Sequence, residues 1–230
     1  MADLQQAEPR AVDFAIPDHE DPTRSILLLT EPHGMTAEAI RAIRTRLIAQ
    51  HVRMGRRALA ICSVAPSAQA SFVAANLAVA LAQVEIRTLL VETDLRHPRL
   101  AGMFGLPEND PGLSDALIDE DVDASDIVRQ MPLPTLSIVT AGRDPAAGVE
   151  AMGSARFASI ANRFLREHDL TIFTTTPSNR SADAQRVASV AGYALIVARK
   201  DRSYIRDIEV LSNALKADGA TIAGSVLISS

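Results

Sequence analysis

The stretch from Ile61 to Ala82 is where this sequence ought to hold a phosphate. It reads ICSVAPSAQASFVAANLAVALA, an apolar strand, a turn of small residues and then a helix. That arrangement aims backbone N–H groups and a helix dipole at an anion. A phosphate cradle also needs glycines for unusual backbone angles and a lysine for the outer phosphates. Neither occurs between Pro66 and Phe72. Asp94 and Arg96 follow the next apolar run and could contact a phosphate or a metal, but an Asp at a strand-to-helix turn also serves as a cap. Ser71 reads as a helix N-terminal serine, for which capping is a sufficient role. Cys62, ending a buried strand, reads as a small core hydrophobe rather than a nucleophile. His19, His33, His51, His97 and His168 show no ligand spacing, and one cysteine cannot build a multi-cysteine zinc site, so no metal is assigned. Tyr193 and Tyr204 are isolated, the first a packing residue.

These residues sit in a chain of 230, enough for one domain with a sizeable core. Apolar residues make up 47%, charged residues 22%, and mean hydropathy is +0.10, which excludes global disorder. A net charge of −5 argues against a protein held by nucleic-acid phosphates, and 3% aromatics leaves no base-stacking platform. No apolar run approaches the ~18–20 residues of a membrane span, and the polar, acidic start is unlike a signal peptide. A soluble protein of a reducing cytoplasm is expected.

Six acids, two bases and three prolines fill residues 1–25, which read as a flexible acidic tail. Residues 26–230 read as one domain. Six arginines without an acid lie in 41–57, and eight acids without a base in 108–126. Ile40, Ile43 and Leu47 fall at helical spacing, with Thr36 as N-cap and Gly55 as stop. Apolar runs at Ala58–Cys62, Thr88–Val91, Leu136–Val139, Leu170–Phe173, Ala194–Ala198 and Thr221–Ile228 alternate with helical stretches near 71–83, 154–167, 182–190 and 203–217. The alternation predicts an α/β fold, a doubly wound and mostly parallel sheet with helices on both faces. Such sheets bind ligands at the carboxyl ends of their strands.

Several segments in fixed order carry a resemblance. VAANLAVALAQ, LLVETDLRHPRL, FGLPENDPGLSDAL, AGRDPAAGVEAMGSARF, AGYALIVARK and GSVL, with the Glu38/Arg41/Arg44 helix, together resemble the cytoplasmic module of bacterial tyrosine kinases over residues 36–228. Those kinases partner polysaccharide co-polymerases and belong to the deviant P-loop ATPases related to MinD and ParA proteins. The resemblance implies a P-loop NTPase-like fold. Its P-G-E-G-K-S-T loop falls on Pro66–Phe72, which places Ser67 and Gln69 at the glycines, Ala70 at the phosphate lysine and Ser71 at the magnesium-facing hydroxyl. Its V-D-A-D-L-R motif falls on Val91–Arg96, with Glu92 at the first Asp and Asp94 kept. Its I-I-D-T-P-P motif falls on Ile172–Pro177, with Thr174 at the carboxylate.

Ser67, Gln69, Ala70, Ser71, Glu92, Asp94 and Thr174 are therefore expected to mark a vestigial nucleotide site, in a chain that is not an enzyme and needs no cofactor. Glu38, Arg41 and Arg44 match the helix with which the family contacts a neighbouring subunit, and are the expected interface. The resemblance then implies a cytoplasmic protein, peripheral to the inner membrane, that docks on a polysaccharide co-polymerase and forms homo-oligomers. It would support a capsule, exopolysaccharide or holdfast-like polymer, without binding nucleic acid. Two alternatives remain open: an active ATPase or tyrosine autokinase with an unorthodox site, and a MinD/ParA-like positioning protein.

Overall fold

The computed structural model describes residues 12–15, 26–65 and 68–229. Its centre is an eight-stranded sheet in the order β1-β8-β7-β2-β6-β3-β5-β4. The strands are β1 (Val12–Ala15), β2 (Ala58–Ser63), β3 (Thr88–Val91), β4 (Arg129–Gln130), β5 (Leu136–Val139), β6 (Leu170–Thr174), β7 (Tyr193–Arg199) and β8 (Thr221–Ser229). All pairings are parallel except that of β4 with β5. The apolar runs thus mark the strands as expected. β2, β3 and β5 are buried along their whole length, which requires cover on both faces.

On one face lie α1 (Leu27–Thr30), α2 (Met35–Gln50) and α3 (Ala68–Ala82). α3 is Ala-rich and buried on nearly every side, because α2 packs over it and the sheet lies beneath. Ala37, Ile40, Ile43 and Leu47 form the inward stripe of α2. Burying each large side chain contributes about 1.5–3 kcal/mol. Asn76 of α3 ties the layer together: its Oδ1 accepts from the Leu28 N–H at 3.2 Å, and its Nδ2 donates to the Phe72 carbonyl at 3.0 Å.

The other face is covered by α5 (Leu113–Ile118), α7 (Ala155–Glu167), α8 (Asp183–Ala191) and α9 (Ile205–Ala217), with short α6 (Pro145–Ala151) among them, while short α4 (Leu100–Phe104) packs Leu100 and Met103 into the core on the α2/α3 side. Gly112 before α5 and Gly142 after β5 are glycines for steric reasons. A Cβ on Gly112 would lie 2.4 Å from both the Gly142 N and the Thr140 O. Asp115 closes the junction by accepting from the N–H groups of Gly112 (2.9 Å) and Arg143 (3.0 Å).

Three expectations are corrected. Residues 12–15 of the expected tail form β1, paired from Val12↔Val226 to Ala15↔Ser229 with β8; the remaining positions of 1–25 lie outside the described residues. α2 starts at Met35 with Gly34 as its cap, not Thr36, and α3 starts at Ala68, three residues before Ser71. Gly55 does stop this stretch, in the left-handed region at φ 75° after a single 3-10 turn.

At the end of α2, His51 is 1% exposed. Its Nε2 meets the Ala58 carbonyl at 2.9 Å and its ring stands edge-on to Tyr193, over which Arg56 lies. Burial, opposed by the Ala58 bond and helped by Arg56, holds its pKa down at about 4. The unfolded chain takes up this proton near pH 6.5, the native chain only near 4. The stabilisation is thus complete above about pH 6.5 and lost as pH falls through 4, about 3 kcal/mol in all. His51→Gln keeps a donor toward Ala58 without a titrating group. Urea midpoints between pH 6.5 and 4 are expected to fall less steeply in this variant, and parallel curves would contradict the assignment.

Candidate functional site

Parallel alignment brings the ends of β2, β6 and β3 side by side, with Val91 opposite Phe173 and Ile61 opposite Thr174. The chain leaving β3 therefore meets the chain leaving β6, and Glu92, Asp94 and Thr174 come together. Glu92 is fully buried. Its Oε2 accepts from the Arg99 and Leu100 N–H groups at 2.7 and 2.6 Å, at the start of α4, and its Oε1 accepts from the Thr174 hydroxyl at 2.7 Å. Burial raises its pKa to about 7, against the pull of these three donors, with the nearby Asp94 charge adding a smaller upward push.

The pairing explains two departures from the motif at once. A carboxylate at position 174 would face Glu92 at hydrogen-bond distance, and two buried anions cannot both stay ionised there. Thr174 instead supplies a donor, and its Oγ1 also accepts from the Thr93 N–H at 3.2 Å. The two residues are fitted to each other. Asp94 works mainly as a turn cap: its Oδ1 accepts from the His97 N–H at 3.2 Å and the Thr176 hydroxyl at 3.0 Å.

Beyond Asp94, the expected Arg96 meets charged residues that the sequence did not single out, Asp183, Arg186 and Arg180. Arg96 Nε meets Asp183 Oδ2 at 3.3 Å, Arg186 approaches the other Asp183 oxygen at 3.8 Å, and Arg180 Nη1 lies 2.9 Å from His97 Nε2. Since a guanidinium only donates, that His97 nitrogen accepts and its proton sits on Nδ1. Asp183 and Arg180 were findable, because they fall in the turn between a strand end and the next helix, where α/β sheets carry function.

Of the other expected site residues, Ser67 lies outside the described residues. Gln69 and Ala70 are in the first turn of α3. Ser71 is inside that helix and buried, so the capping role expected of it is corrected. Cys62 is fully buried and its thiol is pushed up to about 12 by that burial, an inert core group. On α2, Glu38 and Arg41 form an ion pair on the exposed side. Arg44 turns inward, its Nη1 donating to the Ala80 carbonyl of α3 at 3.4 Å. The three residues are therefore not one exposed face. Among the described residues no group of three His, Cys, Asp or Glu is placed to hold a metal, and no helix is long and apolar enough to cross a membrane.

No protein-family profile matches the chain. Individual proteins do. The putative tyrosine-protein kinase CapB of Staphylococcus aureus is 28% identical over 197 residues, 86% of this chain and 86% of its own length. The tyrosine-protein kinase Wzc of Salmonella typhimurium is 28% identical over 202 residues, 88% of this chain. The solved structure of the chimerical protein CapA2B2 superimposes with a TM-score of 0.82 at 27% identity, covering 96% of this chain and 94% of that one. This chain is a homologue of the bacterial tyrosine-protein kinases. The kinase homologue spans about a quarter (28%) of the length of Wzc. It also shares its fold with a MinD protein of Pyrococcus horikoshii solved with Mg-ADP, at a TM-score of 0.65 and 22% identity over 74% of this chain and 69% of that one.

These relatives correct one expectation. The departures at Ala70, Glu92 and Thr174 were read as a chain that is not an enzyme, whereas the homologues are named as kinases and no loss of catalytic residues is shown. The loss of charge at position 70 does not empty the region: Glu92 and Asp94 stand at the carboxyl ends of β3 and β6, and Arg96 and Arg180 bond to Asp183 and His97 there. The motif also makes a direct prediction. Ala70→Lys is expected to raise affinity for MgATP roughly ten- to a hundred-fold, the scale of one charge-assisted contact. Titration calorimetry measures it, and equal affinities would place position 70 away from the phosphates.

Proposed function

We propose that the chain serves synthesis and export of a bacterial polysaccharide, such as a capsule, an exopolysaccharide or a holdfast-like adhesin. It does so as a kinase-related protein held at the inner membrane by docking on a co-polymerase, and it self-associates there. One observation carries this reading. The stretch matched here is nearly the whole of CapB but about a quarter of Wzc, so the same folded unit serves both within a longer polypeptide and almost alone. A unit used in both settings needs a surface that meets its partner. The exposed side of α2, with Glu38, Arg41 and the 88%-exposed Met35, is that surface in this reading. Arg44 supports it from below by anchoring α2 to α3. Deletion of the chain is expected to abolish the exported polymer, and plasmid-borne wild type to restore it. Unchanged export in the deletion strain would sink the proposal.

A second reading, an ATPase or tyrosine autokinase with an unorthodox site, is favoured by the presence of Glu92, Asp94, Arg96 and Arg180 at the carboxyl ends of β3 and β6. Phosphate release from MgATP and phosphotyrosine on the purified chain distinguish it.

A further inference from the structure

Arg41 and Arg44 account for two of the six arginines in residues 41–57. Of the rest, Arg53, Arg56 and Arg57 lie where the chain enters β2, at the opposite end of the sheet from the Glu92–Thr174 pair. Because β2, β3 and β6 are parallel, Arg87, which enters β3, and Asp169, which enters β6, belong to this end too. The backbone joins these entries: the Arg57 carbonyl accepts from the Thr171 N–H at 2.8 Å and the Arg87 carbonyl from the Asp169 N–H at 2.9 Å.

The entry to β2 is firmly held. Buried His51 anchors it, its carbonyl accepting from the Met54 and Arg56 N–H groups at 3.1 and 3.3 Å, while the Gly55 N–H donates to the Val52 carbonyl at 2.9 Å. This turn leaves Met54 67% exposed, with exposed Arg53 and Arg57 near it in the chain. The Arg56 guanidinium is engaged, lying over the Tyr193 ring at 4.7 Å and donating to the Gln50 carbonyl at 3.2 Å. Among the described residues, the Arg53 and Arg57 guanidiniums have no hydrogen-bond or ion-pair partner; Asp169, whose charge Arg57 feels, is bound to Arg87 at 2.7 Å. On the segments entering β2, β3 and β6, Arg53, Arg56, Arg57 and Arg87 stand against Glu85 and Asp169, so this end is cationic in a chain of net charge −5.

Uncompensated arginines around an apolar tip suit a surface that offers both anions and hydrocarbon. Anionic lipid headgroups attract guanidiniums without demanding a fixed geometry, and an apolar side chain adds affinity by entering the layer beneath. A second copy's acidic run at 108–126 fits less well, because Asp110, Asp115 and Asp123 are engaged with Arg129, the Gly112 junction and Arg163. The chain's overall negative charge is no obstacle, since charges farther away than ~8–10 Å are screened at physiological salt. We propose that the amino end of the sheet docks on an anionic bilayer, with Arg53 and Arg57 among the headgroup phosphates and Met54 inserted beside them. The carboxyl ends of the strands, with the Glu92–Thr174 pair, then face away from the membrane. The inference rests on the reading that the chain works at the inner membrane. Its test uses vesicles without protein, so failure here leaves docking on a co-polymerase standing, and loss of that docking leaves vesicle binding standing.

Co-sedimentation of the full chain with vesicles tests it. Wild type is expected to bind vesicles of equal parts phosphatidylcholine and phosphatidylglycerol, to ignore pure phosphatidylcholine, and to be released at about 1 M salt, where the screening length is about 3 Å. Arg53→Gln/Arg57→Gln should weaken binding roughly twenty-five-fold, about five-fold for each charge. Arg53→Lys/Arg57→Lys keeps the charge and should bind like wild type, which guards against a glutamine variant that does not fold. Met54→Ser should bind about five-fold more weakly with the same salt dependence. Wild type that does not distinguish the two vesicles, a folded glutamine variant that binds like wild type, or a lysine variant as weak as the glutamine one overturns the proposal. Unchanged binding by Met54→Ser contradicts the insertion. If light scattering without lipid shows that the glutamine variant loses self-association while vesicle binding is unaffected, the face belongs to a second copy instead.

Discussion

Glu92→Ala is expected to lower the thermal midpoint by roughly 10 °C. The substitution leaves two backbone N–H groups and the Thr174 hydroxyl without an acceptor in a fully buried place, and it opens a small cavity. Each orphaned donor costs about 1–3 kcal/mol, so a total of about 3–5 kcal/mol is reasonable once the site relaxes. For a chain of this size each kcal/mol shifts the midpoint by about 2–4 °C. Glu92→Gln should behave quite differently, because its amide resembles the protonated acid: the oxygen can accept from Arg99 and Leu100, and the NH₂ can turn toward Thr174.

The sign of the pH effect follows from the raised pKa. Native Glu92 holds its proton up to about pH 7, while the unfolded side chain releases it near 4.5. Its stabilising contribution is thus complete below about pH 4.5 and lost as pH rises through 7, about 3 kcal/mol in total. Glu92→Gln is accordingly expected to be close to wild type at about pH 5 and more stable at about pH 8. His51 acts in the opposite direction over part of the same range, so the two single variants separate the contributions. Parallel stability curves for Glu92→Gln and wild type would show that Glu92 is ionised throughout.

Arg41→Glu is expected to weaken self-association or partner binding by at least about thirty-fold without a change in unfolding midpoint. Arg41 is partly covered within the chain yet, among the described residues, its ion pair is with exposed Glu38, on a helix whose other face is fixed by Ile40, Ile43 and Leu47. If a partner desolvates this pair, reversing one charge costs roughly 2–5 kcal/mol, whereas a pair left at a wet rim would change mainly the association rate and its salt dependence. Glu38→Arg/Arg41→Glu keeps the local ion pair and reverses its polarity, so recovery by the double swap would mean that only the pair matters. Arg44→Glu is a different experiment. It brings a carboxylate toward the Ala80 carbonyl, and its expected effect is loss of stability. Light scattering and thermal unfolding on the three variants distinguish these outcomes.

Much of the fold was legible because the strands are short apolar runs with no competing periodicity, as in ALAIC and ALIVA. The helix that ends the phosphate-like turn was not bounded correctly, since Ala68, Gln69 and Ala70 carry no cap signal ahead of Ser71. β1 was missed because an edge strand in an acidic, proline-containing segment is fixed by its pairing with β8, which is a non-local fact. The acidic run at 108–126 is legible in the sequence only as a block of like charge. In the fold Asp115 caps the Gly112 junction, Asp110 meets Arg129 and Asp123 meets Arg163, so several of its charges are used within the chain. The site itself was half legible. Motif positions located Glu92, Asp94 and Thr174, but only the structure shows that Glu92 and Thr174 compensate each other, and that Asp183 and Arg180 meet Arg96 and His97 beside them.

Co-purification from detergent-solubilised inner membranes tests the central reading most directly. Affinity-tagged wild type, expressed in its own host, is expected to bring down a membrane protein with two spans and a polysaccharide co-polymerase character, and Arg41→Glu to lose it while remaining folded. Recovery of the tagged chain without any such protein, in cells that still export the polymer, would contradict the account.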